Sequence, residues 1–207
     1  MKTPCDPCEI RLSGTGGQGL LLAGLILAEA AAIYDNKNAL QSQSYGPQAR
    51  GGTSKAELII SSNEIDYPKV EHPDILLAMS QESADAYSRD IKRDAVVIVD
   101  SFFVTRLPAR AIPIPITDIA REATGRTLTA SMVALGIIAE LTGVVSRQAA
   151  GLLQLSDRLL ASPPAPQRFG IVPARLGIDG AGGHGLGQQV FRVLLLIPLQ
   201  SRYPLLR

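Results

Sequence analysis

The 207-residue sequence predicts an α/β fold: an open, mostly parallel sheet flanked by helices and followed by an irregular C-terminal tail. Three observations carry this. A strand-like run, Glu9 to Ser13, passes through Gly14-Thr15-Gly16-Gly17-Gln18-Gly19 into an apolar, alanine-rich helix, Leu20 to Ala32. Two continuous apolar runs, Asp74 to Met79 and Ala95 to Asp100, have the unbroken pattern of strands buried on both faces. Helix signals alternate with these strands, which is the order of a sheet wound by helices.

The elements follow in order. After the first βα unit, Ala39 to Ser44 is the next extended run, and Ser54 to Ser61 is a strand closed by the turn Ser62-Asn63-Glu64. Beyond the buried run ending at Met79, Ser80 is placed to accept a first-turn N–H and to start a helix through Lys92. Arg110 to Ile116 carries Pro113 and Pro115 two residues apart, which confines it to a sheet edge because proline offers the ladder no donor. Thr117 is placed to cap a helix to Thr124, with Gly125 just past its end. Leu128 to Thr142 is a long apolar helix stopped by Gly143, and Ser146 can cap another. The alternation is Rossmann-like.

Length and composition fit one such domain. A chain of 207 residues buries a sizeable core, and 46% hydrophobic with 4% aromatic residues makes that core aliphatic. The formal net charge of +1, with no basic run interleaved with aromatics, argues against nucleic acid or an anionic membrane as partner. No basic segment leads into an apolar N-terminal stretch, and the longest apolar stretch, Ala130 to Leu141, is too short to span a bilayer. A cytoplasmic protein is expected.

The only cysteines, Cys5 and Cys8, form a C-x-x-C ahead of the first strand, whereas redox sites of this spacing start a helix that lowers a thiol pKa. Two thiolates are half the usual set for a zinc site or an iron–sulfur cluster, so any four-cysteine cluster belongs to another polypeptide. His72 precedes Pro73 in a loop and His184 lies in the tail, a placement that offers no shared metal or acid–base site. No metal ligand and no catalytic residue is assigned from the sequence.

The composition changes at Asp157. Residues 157–207 hold six of the fourteen prolines and six arginines, no lysine or glutamate, and only Asp157 and Asp179 as acids. Residues 1–156 carry 14 basic and 17 acidic groups, against 6 and 2 from there onward. Gly177 to Gly187 is glycine-rich, and Val193 to Ile197 is an apolar run without helical or alternating period. Two readings stay open: a natural disordered or interaction tail, or a segment out of register with an ancestral reading frame. The second follows because an Arg/Pro/Gly/Leu-rich product is what a GC-rich gene gives when shifted.

The first glycine cluster fits the G-x-G-x-x-G spacing through Gly14, Gly16 and Gly19, between a strand and a helix N-terminus. Exposed backbone N–H groups and the positive end of the helix dipole make such a turn a place for phosphate. The same residues also suit a turn that only packs the helix onto the sheet. A dinucleotide site would want an acid at the end of the second strand. Asp35 instead precedes the second extended run, which argues against a nicotinamide dehydrogenase.

The second cluster, Gln41 to Ser54, joins the second and third strands without a helix and is rich in glycine, hydroxyls and amides around one guanidinium, Arg50. Its backbone can approach a surface closely, and Arg50 can clamp a carboxylate or phosphate as a planar fork. Arg50 bracing the loop's own carbonyls is the alternative.

Together, Ser13-Gly14-Thr15-Gly16-Gly17-Gln18-Gly19 and Gln43-Ser44-Tyr45-Gly46-Pro47-x-x-Arg50-Gly51-Gly52 resemble the gamma subunit of 2-oxoacid:ferredoxin oxidoreductases. Glu29 to Asp35, Glu64 to Lys69 and Leu77 to Glu82 look most like the 2-oxoglutarate branch, the KorC-type subunits. The resemblance covers residues 9 to about 150. It implies an organisation of an N-terminal tail (1–8), a gamma-type catalytic domain (9–156) and the anomalous tail (157–207).

The resemblance further implies a subunit of an enzyme that oxidatively decarboxylates a 2-oxoacid with coenzyme A and passes electrons to ferredoxin. Thiamine diphosphate would lie between partner alpha and beta chains, and iron–sulfur clusters in beta or, where present, delta chains. The gamma chain, inactive alone, would pack beside them on the coenzyme A side. The expected contact residues are Gly14, Thr15, Gly16, Gly17, Gln18 and Gly19 from one loop, and Tyr45, Gly46, Pro47, Arg50, Gly51 and Gly52 from the other. A free nucleotide- or coenzyme A-binding module is the competing expectation.

Overall fold

The apolar runs of the sequence become the central strands of one six-stranded sheet. In the computed structural model, which describes residues 5–45, 53–146 and 149, the elements are β1 (Cys8–Thr15), α1 (Leu20–Tyr34), β2 (Asn38–Tyr45), β3 (Thr53–Ser61), β4 (Ile75–Ala78), α2 (Gln81–Tyr87), β5 (Val96–Asp100), β6 (Ala111–Ile114), α3 (Ile116–Thr124) and α4 (Ala130–Thr142). The strand order is β2-β3-β1-β4-β5-β6. The ladders β1–β4, β4–β5 and β5–β6 are parallel, while β3 runs antiparallel to both β1 and β2. The expected α/β class, a mostly parallel sheet flanked by helices, is the one observed.

Alternation along the strands feeds two cores. Ile10 and Leu12 of β1, Ile75 and Leu77 of β4, and Ile98 of β5 point to the face covered by α1, α3 and α4. Leu76, Ala78, Val97 and Val99 point to the opposite face, where Ala84 of α2 and Val104 pack. Burying one such aliphatic side chain stabilises the fold by about 1.5–3 kcal/mol. α1 is apolar on nearly all sides because it is packed on the sheet and touches α4 as well. β6 lies at the sheet edge, as its Pro113 requires.

Several helix limits differ from the sequence reading. α2 starts at the expected cap: Ser80 Oγ accepts the Ser83 N–H and the Ser83 hydroxyl accepts the Ser80 N–H, a capping box. It ends at Tyr87 rather than Lys92, because the chain must turn back to start β5 beside β4. Lys92 serves that return: its N–H donates to the Pro73 carbonyl and its Nζ meets Asp74 Oδ2 at 2.8 Å.

Thr117 does not cap α3. The cap position is Pro115, and Thr117 sits in the first turn, where its N–H and hydroxyl both donate to Asp100 at the end of β5. A fully buried carboxylate from another element thus does the capping. α4 begins at Ala130 rather than Leu128, because Thr127–Thr129 form a single 3₁₀ turn that leaves Leu128 exposed. Gly143 ends α4 in the left-handed conformation at φ 63°, as expected of its residue type. Ser146 Oγ accepts the Ala149 N–H at 3.1 Å, as a cap would. Residues 157–207, and every expectation placed on them, His184 included, lie outside the described residues.

Candidate functional site

The order β2-β3-β1-β4-β5-β6 reverses direction between β1 and β4: from β1 the chain crosses to the edge strand β2, returns through β3 between β2 and β1, and then lays β4, β5 and β6 on the other side of β1. In open α/β sheets the crevice at the carboxyl ends of such strands is where ligands bind. Here β1 delivers the glycine turn 14–19 to that crevice, and β4 delivers Met79 and Ser80.

Gln18 holds the turn. Its Oε1 accepts the Thr15 N–H at 2.8 Å, and its Nε2 donates to the Met79 carbonyl at 3.1 Å, tying the turn after β1 to the end of β4. Ser13 Oγ donates to the Leu77 carbonyl at 2.8 Å, and the Met79 N–H to the Ser13 carbonyl at 2.8 Å. These bonds lock the two strand ends together.

The glycines divide into two kinds. A Cβ on Gly14 would lie 2.2 Å from Gln18 Oε1 and 2.8 Å from Leu20 Cδ1, so Gly14 is needed for internal packing. Gly19, at φ 75°, caps α1 and faces Ser131 Oγ, which would be 3.0 Å from its Cβ. Among the described residues nothing lies within 4 Å of such a Cβ on Gly16 or Gly17, although Gly17, at φ 92°, holds a backbone conformation that favours glycine. The motif positions Gly14 and Gly19 therefore belong to the fold, and the surface a ligand can approach is Thr15 to Gly17.

α1 and α2 also differ at their N-termini. α2 has its capping box, whereas α1 is capped by glycine with no side-chain acceptor and has no acidic residue in its first turn. Among the described residues no side chain meets the orphan N–H groups and positive dipole of α1, the kind of terminus at which an anion can bind.

The second expected loop leaves the sheet at the same end. Tyr45 of β2 pairs with Ser54 of β3, and Thr53, the first residue of β3, pairs with Thr15 of β1. Ser54 Oγ donates to the Gly14 carbonyl at 3.4 Å. Much of the stretch read as a loop is strand, since Gln41 to Tyr45 lie in β2 and Thr53 and Ser54 in β3. Gly46, Pro47, Arg50, Gly51 and Gly52 lie outside the described residues, between two strand ends flanking the glycine turn.

Other polar residues have structural partners. Asp35 ends α1 and accepts the Ser146 N–H at 2.7 Å. Tyr67 is exposed and donates to Glu71 at 3.0 Å. The sequence reading missed a buried pair across β1 and β3, Arg11 Nε to Glu57 Oε1 at 2.7 Å, joined by Lys55 at 2.9 Å and packed against the Tyr87 ring. Charges at alternate positions of both strands were its only signal, and they meet only once the register Arg11↔Glu57 is known. Among the described residues no helix is long and apolar enough to cross a membrane.

Comparison with known proteins agrees with this architecture. The family model for pyruvate ferredoxin/flavodoxin oxidoreductase matches residues 9–158. The 2-oxoglutarate synthase subunit KorC of Methanocaldococcus jannaschii is 51% identical over 145 residues, covering 68% of this chain and 78% of that one. A keto/oxoacid ferredoxin oxidoreductase gamma subunit from Geobacter sulfurreducens superposes with TM-score 0.71 and 41% identity, covering 91% of this chain and 94% of that one. The fold also recurs, at 21% identity and TM-score 0.70, over 31% of a chain of the Magnetococcus marinus 2-oxoglutarate:ferredoxin oxidoreductase solved with 2-oxoglutarate, coenzyme A and succinyl-CoA bound. The chain belongs to the pyruvate ferredoxin/flavodoxin oxidoreductase family, as a gamma subunit of the 2-oxoacid:ferredoxin oxidoreductases.

Proposed function

We propose that this chain is the gamma subunit of a 2-oxoglutarate:ferredoxin oxidoreductase and forms part of its coenzyme A side, binding phosphate at Thr15 to Gly17 and the N-terminus of α1. The carrying observation is geometric. A glycine turn with an open outer face, an α1 N-terminus without a side-chain cap, and the ends of β2 and β3 that bracket residues 46–52 all lie at one end of the sheet. Backbone donors and positive dipole suit the phosphates of coenzyme A. Arg50 would oppose a phosphate or the alpha subunit. Similarity to KorC favours 2-oxoglutarate as the substrate.

Coenzyme A supplies the thiol that accepts the acyl group; this chain's part is to bind and orient it. Thiamine diphosphate belongs between the partner alpha and beta chains and the clusters to beta or, where present, delta chains, with ferredoxin meeting the complex and the cytoplasm as its setting. The test is Arg50→Ala and Gly16→Val in the assembled enzyme, with complex yield and the KM for coenzyme A measured side by side. A raised KM at full yield supports the coenzyme role. A lowered complex yield with unchanged KM in the complex that does form would assign both loops to subunit packing, a reading that Gly14 and Gly19 favour at their own positions. Coenzyme A binding by a chain that recruits no partners would favour the free-module reading.

A further inference from the structure

The C-x-x-C pair gains a third donor from the fold. Cys5 and Cys8 are joined as a disulfide just before and at the start of β1, and a carboxylate oxygen of Asp74, at the start of β4, lies with both sulfurs so that all three atoms are within 4.8 Å of one another. Sixty-six residues separate Cys8 from Asp74 in sequence, and it is the β1–β4 pairing, with the Asp74 N–H donating to the Glu9 carbonyl at 2.7 Å, that joins them. We infer that the reduced chain binds one thiophilic divalent cation, of the zinc class, through Cys5 Sγ, Cys8 Sγ and Asp74.

Three features beyond spacing support this. Asp74 is held in place as metal-binding carboxylates are: the Glu9 N–H at 3.0 Å and Lys92 Nζ at 2.8 Å both donate to Oδ2, and among the described residues no hydrogen bond falls on Oδ1. The charges close: two thiolates and a carboxylate around a dication carry net −1, and the Lys92 ammonium beside them neutralises it. Three protein donors leave a tetrahedral ion one position for water or an outside ligand, and Cys5, half-buried where Cys8 is buried, borders a cleft with Asp6, Lys37, Ser61 and Ser62 through which solvent reaches it. The site lies at the opposite end of β1 from the glycine turn and would clamp the N-terminal segment to the start of β4.

Redox state gates it. A phosphine reductant and water convert the disulfide to two thiols and a phosphine oxide. The cation then displaces one proton from each thiol, and the disulfide form offers no thiolate to bind.

The experiment uses the full chain, purified anaerobically, with cobalt(II) as probe. Phosphine-reduced protein is expected to take up one equivalent with a thiolate-to-cobalt charge-transfer band, to release two protons and to melt at a higher temperature with metal than without. The oxidised chain is expected to do none of these. Asp74→Asn should weaken binding at least tenfold. Because that change also removes charge beside Lys92, Cys5→Ser provides the second variant: it alters one half-buried residue outside the strands and should abolish the band while the circular dichroism spectrum is retained. No stoichiometric band in the reduced wild type, or equal affinity in Asp74→Asn, overturns the inference.

Discussion

The side-chain amide of Gln18 bridges the carboxyl ends of β1 and β4, accepting from Thr15 and donating to the Met79 carbonyl, 61 residues away. Gln18→Ala leaves a backbone donor and a backbone acceptor without their partner at the mouth of the crevice. Each net hydrogen bond is worth about 0.5–1.5 kcal/mol. A loss of about 1–2 kcal/mol in denaturant unfolding is expected, together with a raised KM for coenzyme A in the assembled enzyme, because the turn that presents Gly16 and Gly17 loses its anchor. Unchanged unfolding would show that water replaces the bridge at no cost.

The two kinds of glycine give opposite signatures under one substitution. Gly14→Ala places a Cβ 2.2 Å from Gln18 Oε1, 2.8 Å from Leu20 Cδ1 and 3.0 Å from Met79 Cβ. The ends of the Gln18 and Leu20 side chains must swing away, which breaks the Gln18 bonds to Thr15 and Met79, at a cost of about 1–3 kcal/mol. Gly16→Ala meets no described atom within 4 Å and should change stability by less than about 0.5 kcal/mol. Its effect is expected in coenzyme A affinity instead. Thermal melts of both variants beside coenzyme titrations of the complex separate fold from surface. A Gly16 variant that melts early and binds normally would remove the open face from the site.

These contrasts mark how far the sequence was readable. β4, β5, α1 and α4 were legible because a continuous apolar run is a local property that tertiary packing only confirms. The start of α2 was legible for the same reason, since Ser80 and Ser83 cap within one turn. The cap of α3 was not, because its acceptor is Asp100, seventeen residues earlier on another element. In the candidate site the motif located the turn correctly, yet spacing gave all three glycines one role, and only the neighbours of each Cβ position distinguish packing from exposure. The Cys5, Cys8 and Asp74 group was half visible, its carboxylate being supplied by strand pairing.

The change of composition at Asp157 coincides with the end of the family match at residue 158. Resequencing the gene is expected to show that one inserted or deleted base near this point restores a frame encoding lysines and acids. If no single-base change does so, the tail is native. Its removal should then be tested for loss of partner chains in co-purification.

Asp100 supplies the last prediction. It is fully buried, and burial raises its carboxyl above the ordinary value of 3.8, while hydrogen bonds from Thr117 and the Phe102 N–H act in the opposite sense. An acid whose folded pKa is raised binds its proton more tightly in the native state than in the unfolded one. Its contribution is therefore greatest below the unfolded value and falls as pH rises from about 3.8 through the raised folded value, after which it is constant. Asp100→Asn keeps an acceptor for Thr117 and removes the titration. The stability difference, wild type minus Asp100→Asn, should decline with rising pH across that window and then level off. Denaturant unfolding of both proteins over a pH series checks it. A difference that instead grew with pH would mean that the hydrogen bonds at α3 outweigh burial and hold the carboxylate ionised.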